Sequence, residues 1–124
     1  MAEKKGDKLV VFATHGSEDP ERATLPFVVA NAALAMDTKV FVVLQANGVT
    51  LATKGMYENI ASPGFEPLKK LVDSFVEFGG TMLVCIPCIE QRKITPDMLI
   101  KGAQPVKAGR VVQEVMDANA VLNY

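Results

Sequence analysis

Cys85 and Cys88 stand in the stretch "LVCIPCIEQRKI" (83–94), and the chain has no other cysteine. A pair spaced Cys-x-x-Cys can be half of a zinc site, a redox dithiol, a thiolate that carries sulfur, or two small hydrophobes in a core. A structural zinc takes four ligands, usually thiolates and imidazoles. The chain offers these two thiols and one histidine, His15, so a zinc site within the chain would be one ligand short. Redox dithiols sit at a helix N-terminus, which lowers the pKa of the first thiol. Here Cys85 ends an apolar, strand-like pattern, and Ile86, the residue before Pro87, is expected to stay extended. Sulfur transfer needs an accessible thiolate with positive charge beside it, and Arg92 and Lys93 supply that charge close in sequence. On the residues alone the redox, sulfur-carrying and buried-hydrophobe readings stay open.

The elements that must position these thiols follow from apolar patterning. "KLVVFAT" (8–14), "TKVFVVL" (38–44) and "TMLVCI" (81–86) read as buried strands. "AQPVKA" (103–108) offers a brief fourth strand and "AVLNY" (120–124) a fifth. Between them, 23–36 is Ala-rich and helical, with Pro26 expected in its first turn, and Asp19-Pro20 competes with Thr24 as the start. Residues 65–80 form an amphipathic helix ended by Gly79-Gly80, and 95–102 a short helix from Thr95 to a Gly102 cap. Residues 108–119 form a helix with Val111, Val112, Val115 and Met116 on one face. The long connection 45–64 is expected to hold a short helix near 50–54 and to serve as a subunit contact.

Strands alternating with helices imply an α/β fold, a three-layer α/β/α arrangement with a mainly parallel sheet of about five strands. Residues 1–7 read as a polar tail and 8–124 as a single domain. In such sheets, chemistry gathers beyond the carboxyl ends of the strands. That rule selects Thr14 to Ser17, Gln45 to Gly48, and Cys85 to Ile94. Candidate substrate-binding residues there are His15, Gly16, Asn47, Gly48 and Lys93. "THGS" could cradle an anion with backbone N–H groups, but one glycine in a short loop lacks the spacing of a dinucleotide fingerprint.

Bulk properties remove several classes. At 49% hydrophobic and 22% charged, the chain is globular, and a net charge of -1 lacks the basic footprint of a nucleic-acid binder. The longest apolar runs are strand-sized, short of the roughly 18 residues of a membrane span. The start "MAEKKGDK" has no apolar core of a signal peptide, so a reducing, cytoplasmic setting is expected.

"MLVCIPCIEQRKI" resembles the central motif of the DsrE/DsrF/DsrH-like sulfur-relay family, and the second cysteine resembles its YchN-like branch. "KLVVFATHGSEDPERA", "NGVTLATKG" and the last 28 residues are also similar, so the resemblance covers most of the chain. It implies a DsrE-like fold with Cys85 as the persulfide carrier. Cys88 would resolve that persulfide or receive its sulfur, and Arg92 would favour the thiolate. Lys93 departs from the family, which has glycine there. The resemblance further implies donor and acceptor proteins as partners and a homo-oligomer, trimer or hexamer. A protein-bound persulfide requires no metal or organic cofactor. Two other readings stand beside the possible sulfurtransferase: a non-catalytic oligomeric module binding a small anion or nucleotide, and a dithiol redox protein using Cys85 and Cys88.

Overall fold

The computed structural model describes residues 6–124. Five strands, β1 (Lys8–Ala13), β2 (Lys39–Leu44), β3 (Thr81–Cys85), β4 (Ala103–Val106) and β5 (Ala120–Asn123), form one sheet in the order β4-β3-β2-β1-β5. Every pairing is parallel. The central strand β2, "KVFVVL", is buried on both faces after its first residue, which is why its apolar run does not alternate. The edge strands differ: β5 is exposed throughout, and β4 accommodates Pro105 because an edge position can spare one N–H.

Helices cover both faces. On one, α1 (Pro20–Ala35) and α2 (Leu68–Glu77) pack side by side, with Phe27 meeting Phe75 edge-on at 5.6 Å. On the other, α4 (Ala108–Met116) returns from edge strand β4 to the opposite edge strand β5, crossing Val10, Phe41, Val43 and Leu83. Lys8 fixes that crossing from below: its ammonium is buried and ion-pairs with Glu114 and Asp117. Among the described residues no helix is long and apolar enough to cross a membrane. A short helix, α3 (Ile86–Gln91), follows β3 directly at the carboxyl edge of the sheet.

Several local expectations are corrected. Of the two starts offered for α1 the Asp19-Pro20 pair is the one used, so the helix begins at Pro20 rather than at 23, and the Asp19 carboxylate accepts the Arg22 N–H at 3.1 Å. Pro26 therefore lies inside the helix rather than in its first turn, and Thr24 bonds back to the Pro20 carbonyl at 2.7 Å instead of capping. Helix α2 starts at Leu68, after Pro67, rather than at Phe65. The helix expected over 95–102 is a single 3-10 turn, Pro96–Met98. Beyond it the Ile100 N–H goes to the Ala52 carbonyl and Leu99 bridges Thr53, so the segment pairs with the loop after β2. On α4, Val111 faces the sheet while Val112 and Met116 point outward. Residues 1–5 of the expected polar tail lie outside the described residues. Asp7 already joins the sheet's margin, its carbonyl accepting the Lys39 N–H.

The loop after β2 holds a 3-10 segment, Ala46–Ala52, rather than a helix over 50–54. Gly48 within it lies so close to β1 that a Cβ would come 1.9 Å from the Ala13 carbonyl oxygen. No side chain fits there without moving one of two backbones. Gly109 on α4 is the opposite case, with nothing within 4 Å of a would-be Cβ. Gly48→Ala should destabilise the protein by about 3 kcal/mol or more. Gly109→Ala should stabilise it by about 0.5–1 kcal/mol through the unfolded chain and helix propensity. Chemical denaturation of the two variants checks both signs.

Candidate functional site

All five strands run the same way, so the loops after β1, β2 and β3 meet at one edge of the sheet. Cys85 is the last residue of β3 and the N-cap residue of α3, with extended backbone (φ -64°, ψ 117°). Ile86 is helical, not extended as its place before proline suggested. Pro87 falls in the first turn of α3, where a missing N–H leaves no helix bond unmade. The thiol pair thus occupies a strand-to-helix junction, the placement the sequence had argued against, although the all-parallel sheet order remains that described above.

Both cysteines are free and half-buried. Burial pushes the Cys85 thiol above its usual range, and the neighbouring Cys88 side chain pushes the same way. The Cys88 backbone N–H and the Arg92 charge pull it back. The Cys88 sulfur accepts the Ala46 N–H at 3.3 Å, across from the loop after β2. Ala46 has φ +50°, a left-handed conformation uncommon for a residue with a side chain. Neither that backbone angle nor the contact has a signature in the sequence.

Arg92 is the best anchored cation of the site. Its Nε and Nη2 both donate to Asn47 Oδ1, at 3.2 and 2.8 Å, and Nη1 donates to the Cys88 carbonyl at 3.1 Å. The other end of the Asn47 amide donates to Glu18 at 3.2 Å, and Glu18 also accepts the Gly16 N–H at 2.7 Å. Sequence reasoning picked out Arg92, Asn47 and Gly16 but passed over Glu18. An acidic residue two positions beyond a turn glycine gives no cue to its partner in another loop.

The remaining candidates are placed as follows. His15 Nδ1 lies 3.3 Å from the Thr14 hydroxyl, and among the described residues none of its hydrogen bonds reaches the thiols. A Cβ on Gly16 would come 2.5 Å from the Thr50 hydroxyl and 2.8 Å from the Asn47 carbonyl, and Gly48 is pressed against Ala13. Both glycines therefore let the loops close on one another. Lys93 is exposed and adopts φ +56°. Its N–H bonds to the Glu90 carbonyl and the Ile94 N–H to the Ile89 carbonyl, with Ile89 and Ile94 both buried. That is the helix-ending turn in which glycine is favoured, so a glycine at this position has a backbone reason.

A model of the DsrE/DsrF-like family matches residues 7–124. The chain belongs to the DsrE/DsrF-like family. Members of this family are generally tied to sulfur relay. The protein MJ0760 of Methanocaldococcus jannaschii is 31% identical over 120 residues, which is 97% of this chain and 40% of that protein. The chain thus spans well under half the length of that relative. Among solved structures, the ychN protein of E. coli superposes with a TM-score of 0.81 at 19% identity, covering 95% of this chain and 99% of its own. The protein MTH1491 of Methanobacterium thermoautotrophicum gives 0.76 at 16% identity, over 95% and 99%. At such identities the likeness carries the fold: a five-stranded parallel α/β sheet of the DsrE-like kind.

Two outcomes are expected at this site. Cys88→Ala removes the side chain that pushes the Cys85 pKa up, so the Cys85 alkylation rate should rise at a lower pH than in the wild type. Peptide-resolved alkylation across a pH series checks the direction. Lys93→Gly relieves a left-handed residue that carries a side chain, and should stabilise the fold by about 1 kcal/mol, read by denaturant unfolding.

Proposed function

We propose that this DsrE/DsrF-like protein is a sulfur carrier that holds a persulfide on Cys85 and passes the sulfur between partner proteins. The observation that carries this reading is the pair of half-buried free thiols at the carboxyl edge of the sheet, with Arg92 anchored on the turn that bears Cys88. In the first step the Cys85 thiolate attacks the outer sulfur of a donor persulfide. A sulfur–sulfur bond forms on Cys85 as the donor's breaks, and the donor leaves as a thiolate that can take up the proton Cys85 released. The sulfur moves at constant oxidation state, so no external oxidant enters.

Cys88 then has two routes. Attack of its thiolate on the outer sulfur moves the persulfide to Cys88. Attack on the inner sulfur closes a Cys85–Cys88 disulfide and expels hydrosulfide. An acceptor protein would take the sulfur by repeating the first step from its own side. The setting proposed is the cytoplasm, where thiols stay reduced, with residues 8–124 working as one domain within a homo-oligomer.

The anion-binding alternative has less support. The Gly16 N–H that would meet a phosphate is taken by the Glu18 carboxylate. The dithiol alternative is supported by the strand-to-helix junction at Cys85, and one experiment separates it from the relay. The protein is incubated with a low-molecular-weight persulfide, and its peptides are weighed. A gain of one sulfur atom on the Cys85 peptide, absent in Cys85→Ser, is expected. A Cys88→Ser protein, in which the disulfide route is closed, that alkylates readily at Cys85 but gains no sulfur there would overturn the relay.

A further inference from the structure

The loop after β1 carries a carboxylate that the sulfur chemistry does not consume. Glu18 Oε1 accepts from the Gly16 N–H at 2.7 Å and from Asn47 Nδ2 at 3.2 Å. The far side of the same amide, Asn47 Oδ1, receives two donors from Arg92, at 3.2 and 2.8 Å. The third arm of Arg92 reaches the Cys88 carbonyl at 3.1 Å. Three loops are thereby joined in one chain of hydrogen bonds that ends on the thiol-bearing turn.

The chemistry of the chain gives it a direction. A carboxylate only accepts, a guanidinium only donates, and a primary amide has one end of each kind. Reversing the Asn47 amide would set its NH2 against the guanidinium and its oxygen against the carboxylate, two repulsive contacts in place of three bonds. Glu18 and Arg92 therefore hold the Asn47 amide between them, Glu18 from its NH2 end and Arg92 from its oxygen. Without Glu18 the amide keeps its two bonds from Arg92 but loses the tie of its NH2 to the loop after β1, and the guanidinium is held from one side fewer.

We propose that Glu18 is a positioning residue for the thiol site: by anchoring the Asn47 amide to the loop after β1 it holds the Arg92 guanidinium over the turn that carries Cys85 and Cys88. The proposal rests on the reading above in one respect, that these thiols act as anions. Arg92 is among the groups that favour the Cys85 thiolate, so its displacement has a readable consequence. Glu18 touches no reacting atom. Its effect passes through two side chains.

The test uses the whole chain with Glu18→Ala and Glu18→Gln. Cys85 and Cys88 alkylation by iodoacetamide is followed across pH with peptide mass mapping, and no persulfide is present. Glu18→Ala should move the Cys85 profile to higher pH and slow it about threefold near neutrality, because only the thiolate reacts. Glu18→Gln should rescue the profile, since its amide oxygen can accept both bonds. A Glu18→Ala profile that superposes on wild type overturns the proposal, and so does a Gln variant as impaired as Ala. Should Glu18→Ala unfold, exchange of the Arg92 Nε proton by NMR in Glu18→Met, which keeps the side-chain length but offers no oxygen acceptor, decides. Faster exchange than in wild type supports the positioning role, and protection equal to wild type overturns it. Because no sulfur donor is used, a protein that never loads sulfur still gives a clear answer here.

Discussion

The closest approach in the molecule that matters for its chemistry is between two backbones. Gly48 lies against the Ala13 carbonyl with no room for a side chain. That contact ties the loop after β2 to the end of β1, and its neighbours in sequence then have little freedom. Ala46 turns its N–H onto the Cys88 sulfur, and Asn47 falls between Glu18 and Arg92. The anchoring of the thiol turn is thus set from two other loops as well as from β3 and α3. A parallel sheet makes this arrangement available, because it delivers three strand ends to one edge. The glycine makes it tight.

Much of the fold was legible because it is written in long, redundant signals. The continuous apolar runs of β1, β2 and β3 leave little choice but buried parallel strands, and the alternation with helices supplies the layers. The misreadings have two causes. At Thr95 to Gly102 the residues carry helix-start and helix-stop signals, yet the backbone pairs with Ala52–Lys54 instead. At Ile86 the pre-proline rule gave way to a first turn that needs no N–H from Pro87. At Thr95 to Gly102 a local preference of a fraction of a kcal/mol up to about 1 kcal/mol yields to tertiary contacts, whereas at Ile86 one local rule yields to another. Pro26 inside α1 is of the same kind, since the Asp19 cap fixes the helix start upstream of it.

The site was legible at the level of residue type and not of partnership. Cysteines, an arginine and turn glycines stand out by chemistry, and placing them at strand ends follows from the topology. What the sequence does not carry is which loop residue meets which. Glu18 and Ala46 are ordinary residue types, and their roles arise from hydrogen bonds across 29 and 42 positions of chain. Lys93 shows the reverse. Its departure from the family's glycine looked like a clue to function. The left-handed turn at the end of α3 gives glycine a purely conformational reason there, which leaves Arg92 as the cation with an anchored geometry.

The two thiols are not equivalent, and the difference bears on how a carrier could stay idle between partners. Cys85 is held toward its protonated form by burial and by Cys88, while the Cys88 N–H and Arg92 work against that. Only the thiolate is a fast nucleophile and a fast target for oxidants, so a thiol biased toward its neutral form is spared both reactions while unloaded. The same balance is easily tipped, because the opposing influences come from the same short helix, Cys88 in its first turn and Arg92 at its C-cap. A docking surface that added positive charge near this rim would favour the Cys85 thiolate by the same Coulombic effect that Arg92 already exerts. On the relay reading, activation would then be coupled to arrival of a partner and would need no change in the fold. The anchored guanidinium would set how small a push is enough.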